Sequence, residues 1–240
     1  MDAIAPAFGD RIDAAAAATL NRPEPILPSD SGADAGCDRL GGAFRLAGLQ
    51  PRRAQILDLI GWYERQLAKL GVELRLNTYM EAQDIGAEDA DVVILATGSL
   101  PAETGFQKAL PETDRMPGWE KGNVFSVEEV MSRRARLGRR VLVLDENGGW
   151  RGCGTAWKLA EDGHEVTLVT PDAMVGRELQ RTSADAALRR TLKRLNVRFA
   201  VESSVLAWHG NAATILSHLD RSETSIEVDS LVTSTTNVAM

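Results

Sequence analysis

The stretch from Val141 to Thr170, VLVLDENGGWRGCGTAWKLAEDGHEVTLVT, constrains the fold of this chain more than any other. Val141, Leu142, Val143 and Leu144 form a short continuous apolar run, the pattern of a strand buried on both faces. A helix is expected over 153–162, stopped by Gly163, and EVTLVT at 165–170 reads as the next strand. Strand, glycine-rich turn, helix and strand within about 30 residues make a βαβ unit, whose two strands must lie parallel.

The turn of such a unit is where dinucleotides bind when three glycines stand at Gly-x-Gly-x-x-Gly. The first makes the tight turn, the second lets the diphosphate approach the backbone, and the third lets helix pack on strand. Here residues 147–152 read NGGWRG, so Gly149 and Gly152 match the second and third positions and Asn147 replaces the first. Asn tolerates positive φ better than other non-glycine residues, which leaves the turn open to it, with a more crowded approach for a phosphate. Two further departures follow: the turn between Leu144 and Gly152 is about two residues longer than a compact fingerprint needs, and Trp150 with Arg151 puts bulk near the phosphate path. Where an acid would hold a ribose hydroxyl stand Thr170 and Pro171, with Asp172 two residues on from Thr170. Two readings stay open, an NAD(P)H site or a strand-turn-helix that has lost its nucleotide.

Along the rest of the chain, Ile56, Leu59, Ile60, Tyr63, Leu67 and Leu70 recur at helical spacing before Gly71, predicting an amphipathic helix over 53–70. VELRLN suits a strand. DVVILATG, 91–98, is an apolar run ending in a small turn, the pattern of a parallel strand whose carboxyl end faces a ligand. Residues 100–123 carry prolines and glycines enough to read as a connection, which gives domains of 1–123 and 124–240. Ser126 with Glu129 forms a capping box for a helix to about Leu137, and RRARLGRR reads as its solvated basic end. A helix over 183–195, the strand VRFAVE, and alternating runs at 213–219 and 224–234 follow, the last runs as a small antiparallel meander. At the start, RIDAAAAATL has the alanine content of a helix, with a short strand near Ile26 and Leu27. The fold class is α/β, with Rossmann-like parallel sheets and this meander.

Charge and cysteine content narrow the function. A formal net charge of -7 argues against nucleic acid or anionic membrane as partner, because polyanions need a basic face. No stretch approaches the roughly 18 apolar residues of a membrane span. Cys37 and Cys153 are the cysteines present, too far apart and too few for a disulfide framework or a cysteine-held metal, which suits a reduced cytoplasmic setting. His164, His209 and His218 are scattered without ligand spacing, and no side chain reads as a catalytic acid, base or nucleophile.

Four stretches taken in order resemble one family. LGGAFRLAGL, WYERQLAKLGVELRLNT, ADVVILATGSLP and GRRVLVLDENGGWRGCGTAWKLAEDGHEVTLVTP are similar to the C-terminal half of the trimethylamine dehydrogenase and dienoyl-CoA reductase group of NADH:flavin oxidoreductases, over about 38–236. The resemblance implies a glutathione-reductase-type architecture, an FAD- or ADP-binding domain interrupted by a second Rossmann-like domain. It implies that Gly41 and Gly42 lie near the first dinucleotide and that Ala96, Thr97 and Gly98 form the strand exit beside it. Asn147, Gly149, Trp150, Gly152 and Thr170 fall on the nicotinamide-nucleotide loop of the second domain, which is degenerate in some members. The group also carries an FMN-binding barrel and an iron-sulfur cluster, expected here in a missing region or a partner subunit, so the chain reads as a portion of a larger enzyme or a shortened relative. A dinucleotide ligand, an FMN-barrel domain or subunit and a homo-oligomeric state are the partners this implies. A non-catalytic Rossmann-like scaffold is the competing reading.

Overall fold

A computed structural model describes residues 17–19, 39–88 and 90–239, which fall into two units. The first takes its described residues from 1–45, 55–100 and 238–240, and the second from 46–54 and 101–237. The first unit contains β1 (Ala17–Thr19), the start of α1 (Gly42–Gly48), α2 (Gln55–Lys69), β2 (Glu73–Arg75) and α3 (Ala82–Ala87). The expected amphipathic helix is α2, and it stops for the reason read from Gly71. With Gly71 at φ 68, Val72 N–H reaches Leu67 O and Gly71 N–H reaches Ala68 O, the paired bonds that close a helix on a left-handed residue.

Two expectations fail in this unit. Of RIDAAAAATL only the part at Ala17–Thr19 is described, and it is a strand antiparallel to β2, with Ala17 opposite Arg75. Ladder bonds to a partner outweigh alanine's helix preference there. The strand expected near Ile26 and Leu27 lies outside the described residues, as does Cys37. Residues 91–98 are not a strand: they run irregularly, with Val92 78% and Ile94 86% exposed. An apolar run becomes a strand only when neighbours take its N–H and C=O groups, and among the described residues no strand pairs with it.

β3 (Ser99–Pro101) leads into the second unit, which holds β4 (Val124–Ser126), α4 (Val127–Met131), β5 (Arg140–Asp145), α5 (Trp150–Glu161), β6 (Glu165–Val169), α6 (Asp185–Arg194), β7 (Arg198–Ala200), β8 (Ser203–Trp208), β9 (Ala212–Ser217), β10 (Glu223–Glu227) and β11 (Ser230–Ser234), before β12 (Asn237–Ala239). Five strands form a sheet in the order β4-β11-β5-β6-β7, every neighbour parallel. β8, β9 and β10 form an antiparallel meander. β5 is buried on both faces, as its sequence requires. Val141 and Val143 pack with Cys153, Ala156 and Leu159 of α5. Leu142 and Leu144 pack with Val205 and Trp208 of β8 and Ala213 and Ile215 of β9. The unit is therefore three layers, helices, parallel sheet and meander, and each fully buried side chain of β5 contributes about 1.5–3 kcal/mol.

Corrections in this unit have physical causes. The run 224–234 is not all meander, since β11 inserts between β4 and β5. Its Ser230, Thr233 and Ser234 are buried, so small polar residues imitated a solvent-facing alternation. The capping box is present, with Glu129 N–H donating to Ser126 Oγ at 3.1 Å and Ser126 N–H donating to the Glu129 carboxylate at 2.7 Å. α4 nevertheless ends at Met131: Arg133 takes φ 60, and Arg133 N–H reaches Val130 O at 3.0 Å and Arg134 N–H Glu129 O at 2.9 Å, which closes the helix. RRARLGRR is not simply a solvated end: Arg140 opens β5 and donates to Asp229 at 2.7 Å and Glu227 at 2.8 Å. The connection 101–123 packs into the unit. Gln107 donates to Val205 O at 2.6 Å and accepts from Val205 N–H at 3.0 Å, standing in for a strand where β8 shifts register.

Trp208 ties these pieces together. It is fully buried, its ring N–H donates to Gly122 O at 2.8 Å, and its backbone N–H to Pro117 O at 2.8 Å. Trp208→Ala should lower the unfolding free energy by about 3–5 kcal/mol in a urea titration. A loss under about 1 kcal/mol would show that the meander does not brace the sheet.

Candidate functional site

In a parallel sheet of this kind a ligand lies beyond the carboxyl ends of the strands, where connections leave in opposite directions. That point falls between β5 and β11, and the residue that dominates it is Asp145. It is 1% exposed at the end of β5. Its Oδ1 accepts the backbone N–H of Asn147 at 3.1 Å and of Gly148 at 3.2 Å, and its Oδ2 accepts the Cys153 thiol at 3.3 Å. Gly152, in the first turn of α5, has no Cβ because one would overlap the Asp145 carboxyl group. Burial pushes the Asp145 pKa up to about 6, against its hydrogen bonds, which favour the charged form. Burial, reinforced by the Asp145 charge, likewise holds the Cys153 thiol well above its ordinary value, so it remains a donor.

The crevice beside this carboxylate is filled by side chains of the turn. Asn147 Nδ2 donates to Ser234 O at 3.0 Å and Thr235 O at 3.3 Å, joining the exits of β5 and β11. Arg151 donates to the Glu128 carboxylate of α4 through Nε at 2.9 Å and Nη2 at 3.1 Å, and through Nη1 to Thr235 O at 3.0 Å. The positive φ expected near Asn147 falls on Gly148 instead, at 59°. Gly148 also faces Asp172, whose other oxygen pairs with Arg177 at 2.8 Å.

The other sequence candidates take varied places. Gly149 caps α5 with an open face, since a Cβ there would meet nothing nearer than Asn147 O at 3.9 Å. Trp150 is the first residue of α5. Its ring carries the Arg53 guanidinium 4.5 Å from the centroid, and its carbonyl accepts Gln50 Nε2 at 2.9 Å. Gln50 is held in a notch left by Gly154, whose Cβ would overlap it. Thr170 is buried at the end of β6, its N–H bound to Ala200 O at 3.0 Å and its hydroxyl accepting Asp172 N–H at 3.3 Å. Asn147, Gly149, Trp150 and Gly152 thus share one turn, and Thr170 stands one strand away. Gly41, Gly42, Ala96, Thr97 and Gly98 lie in the first unit. Gly41 and Gly42 have φ 103 and 41, and Gly98 has φ 82.

Asp145, Arg151, Glu128 and Gln50 were not among the sequence candidates. Arg151 reads in the sequence only as bulk beside Trp150, and Asp145 carries a signal of its own, an acid ending a run of four apolar residues. The histidines make no acid pair among the described residues: His164 bonds Gly138 O at 2.8 Å, His209 the Thr214 hydroxyl and His218 the Ser204 hydroxyl.

A model described as pyridine nucleotide-disulphide oxidoreductase matches residues 81–236. The chain belongs to this family. It is 33% identical, over 75% of its length, to a probable N-methylproline demethylase of Rhizobium meliloti, and 34% identical, over 61%, to an N,N-dimethylglycine/sarcosine dehydrogenase of Chromohalobacter salexigens. It spans 25% and 20% of those proteins, a quarter of their length or less. A solved histamine dehydrogenase from Rhizobium sp. 4-9 overlays 85% of this chain, and this chain 31% of it, with a TM-score of 0.77 and 21% identity, which shows the same fold. The matched region is the C-terminal part of trimethylamine dehydrogenase-type flavoproteins, the nucleotide-binding portion of a flavin-dependent oxidoreductase. No described helix is long and apolar enough to cross a membrane.

The buried carboxylate makes stability depend on pH. With a folded value near 6 above an ordinary 3.8, the folded state holds the extra proton between those values, so stability falls as pH rises through that window. Asp145→Asn removes this term. The variant should be more stable than the wild type at pH 7 by up to about 3 kcal/mol, and the difference should shrink toward pH 4 in parallel chemical denaturations. A difference that is constant with pH would contradict the buried, raised carboxyl group.

Proposed function

We propose that the first unit holds the adenosine diphosphate part of FAD, or ADP itself, and that the chain serves an enzyme that oxidises N-alkylated amines or reduces enoyl compounds. Gly42 is the observation that carries this reading. Nothing stands within 4 Å of where its Cβ would be, so a diphosphate can reach the backbone there at positive φ. The residue before the glycine pair, Leu40, lines a groove of about 430 Å³ with Arg39, Arg45, Glu64, Leu74 and Leu76. Two guanidinium groups beside an open glycine turn are the chemistry that a diphosphate needs.

Arg39 and Arg45 neutralise the diphosphate, and Gly42 lets it come close. Ala96 and Gly98 expose backbone to a flat ring system, and Thr97 is half-buried between them. The bound flavin supplies hydride and electron transfer, chemistry that no side chain at the described turn provides. The substrate pocket, an FMN-barrel domain or subunit and an iron-sulfur cluster belong outside these residues in this reading. The exposed Val92, Val93, Ile94 and Leu95 are an apolar surface of the kind such a domain covers. A cytoplasmic location and a homo-oligomeric state complete the proposal.

The chain titrated with ADP and FAD by calorimetry should bind with micromolar affinity. Arg45→Ala should weaken ADP binding at least tenfold, about the strength of one charge-assisted hydrogen bond. A colourless chain that binds neither ligand below about 1 mM would overturn the flavin assignment.

A further inference from the structure

We infer that the turn of the second unit is a dinucleotide cradle filled from within, with Asp145 as the resident anion that excludes nucleotides and Asn147 and Arg151 as bridges across the crevice. A dinucleotide site needs backbone N–H groups of the turn, the positive end of the following helix and an open switch point between strands. The first amides of the turn and the switch point are already taken, and the helix end already faces a carboxylate. Asp145 Oδ1 holds the N–H groups of Asn147 and Gly148, and its carboxyl lies against Gly152 in the first turn of α5, where a diphosphate would use the helix dipole. The crevice between β5 and β11 is bridged by Asn147 to Ser234 O and Thr235 O, and by Arg151 to Thr235 O and Glu128. Asp172, paired with Arg177, faces Gly148 from beyond the end of β6 and narrows the approach. The residues present therefore do not fit a nicotinamide dinucleotide.

The lock is local, so it can be undone. Gly149 and Gly152 are still present, and the face of Gly149 is open. Removing the carboxylate and the Asn147 side chain frees the amides and takes away one of the two bridges across the crevice, while the strand and helix that carry them stay packed by Val141, Val143, Cys153 and Ala156.

The test reads the amide resonances of residues 147–152 in the ¹⁵N-labelled chain during titration with NADH and with inorganic diphosphate. These resonances report the second unit alone, so failure here leaves the flavin reading of the first unit standing. Wild type should show no shift up to roughly 1 mM ligand, and the double variant Asp145→Gly with Asn147→Gly should bind at least tenfold more tightly. The variant Asn147→Gly with Arg151→Ala keeps Asp145 and its hydrogen bonds, and should stay silent although the crevice is opened. Shifts in the wild type at micromolar NADH would overturn the inference. So would binding by the Asp145-retaining variant, which also serves if the first variant fails to fold, or silence of a folded Asp145→Gly, Asn147→Gly chain.

Discussion

The carboxylate of Asp145, held against two backbone N–H groups at the end of β5, sets the form of everything around it. Gly152 is glycine because the carboxyl group occupies the space of a Cβ. Cys153 is a protonated donor because burial, reinforced by that charge, holds its thiol well above its ordinary value. A buried carboxylate with fewer partners would cost several kcal/mol, so the long turn from Asp145 to Gly149 is better understood as the segment that supplies those partners. A second anion brought to about 5 Å meets a repulsion of about 3 kcal/mol per unit charge at an effective dielectric of about 20. That is more than one good hydrogen bond from the turn returns.

The packing around this turn does not depend on a nucleotide. β5 buries Val141 and Val143 toward α5, and Leu142 and Leu144 toward the meander, independently of what lies beyond its carboxyl end. α5 is braced a second way, by Gln50 lodged at Gly154 and bonded to the Trp150 carbonyl, with Arg53 over the Trp150 ring. The Arg151 pair with Glu128 ties α5 to α4, and Asn147 ties the turn to the end of β11. Three connections that a bound ligand commonly makes are here made by side chains.

What could be read in the sequence was whatever depends on local pattern. The strands β5 and β6, the helices α2, α5 and α6 and the capping box at Ser126 follow from apolar spacing and stop residues, and the Gly71, Gly163 and Asn196 helix ends all show positive φ. What could not be read depends on partners distant in sequence. Residues 91–98 have the composition of a buried strand and are exposed, and Ser230–Ser234 has the alternation of a surface strand and is buried. At the turn, Asn147, Gly149 and Gly152 were visible as a damaged fingerprint, but its meaning lay in Asp145, a residue the fingerprint does not include. Gln50 is 104 residues from Gly154, so the reason for that glycine could not come from its neighbours.

The glycines themselves separate the two kinds of turn. A glycine retained for a ligand should face open space, because the atoms it makes room for belong to another molecule; one retained for packing should face atoms of its own chain. Gly42 faces open space, as the first kind requires, and so do Gly71 and Gly163, whose positive φ ends a helix instead. Gly148, Gly152 and Gly154 are of the second, facing Asp172, Asp145 and Gln50. Gly149, with one backbone oxygen at 3.9 Å, keeps the open face of a cradle in a turn whose other glycines have been claimed by side chains. A motif search weighs these glycines equally, whereas what a Cβ would touch separates those that make room for their own chain from those that do not.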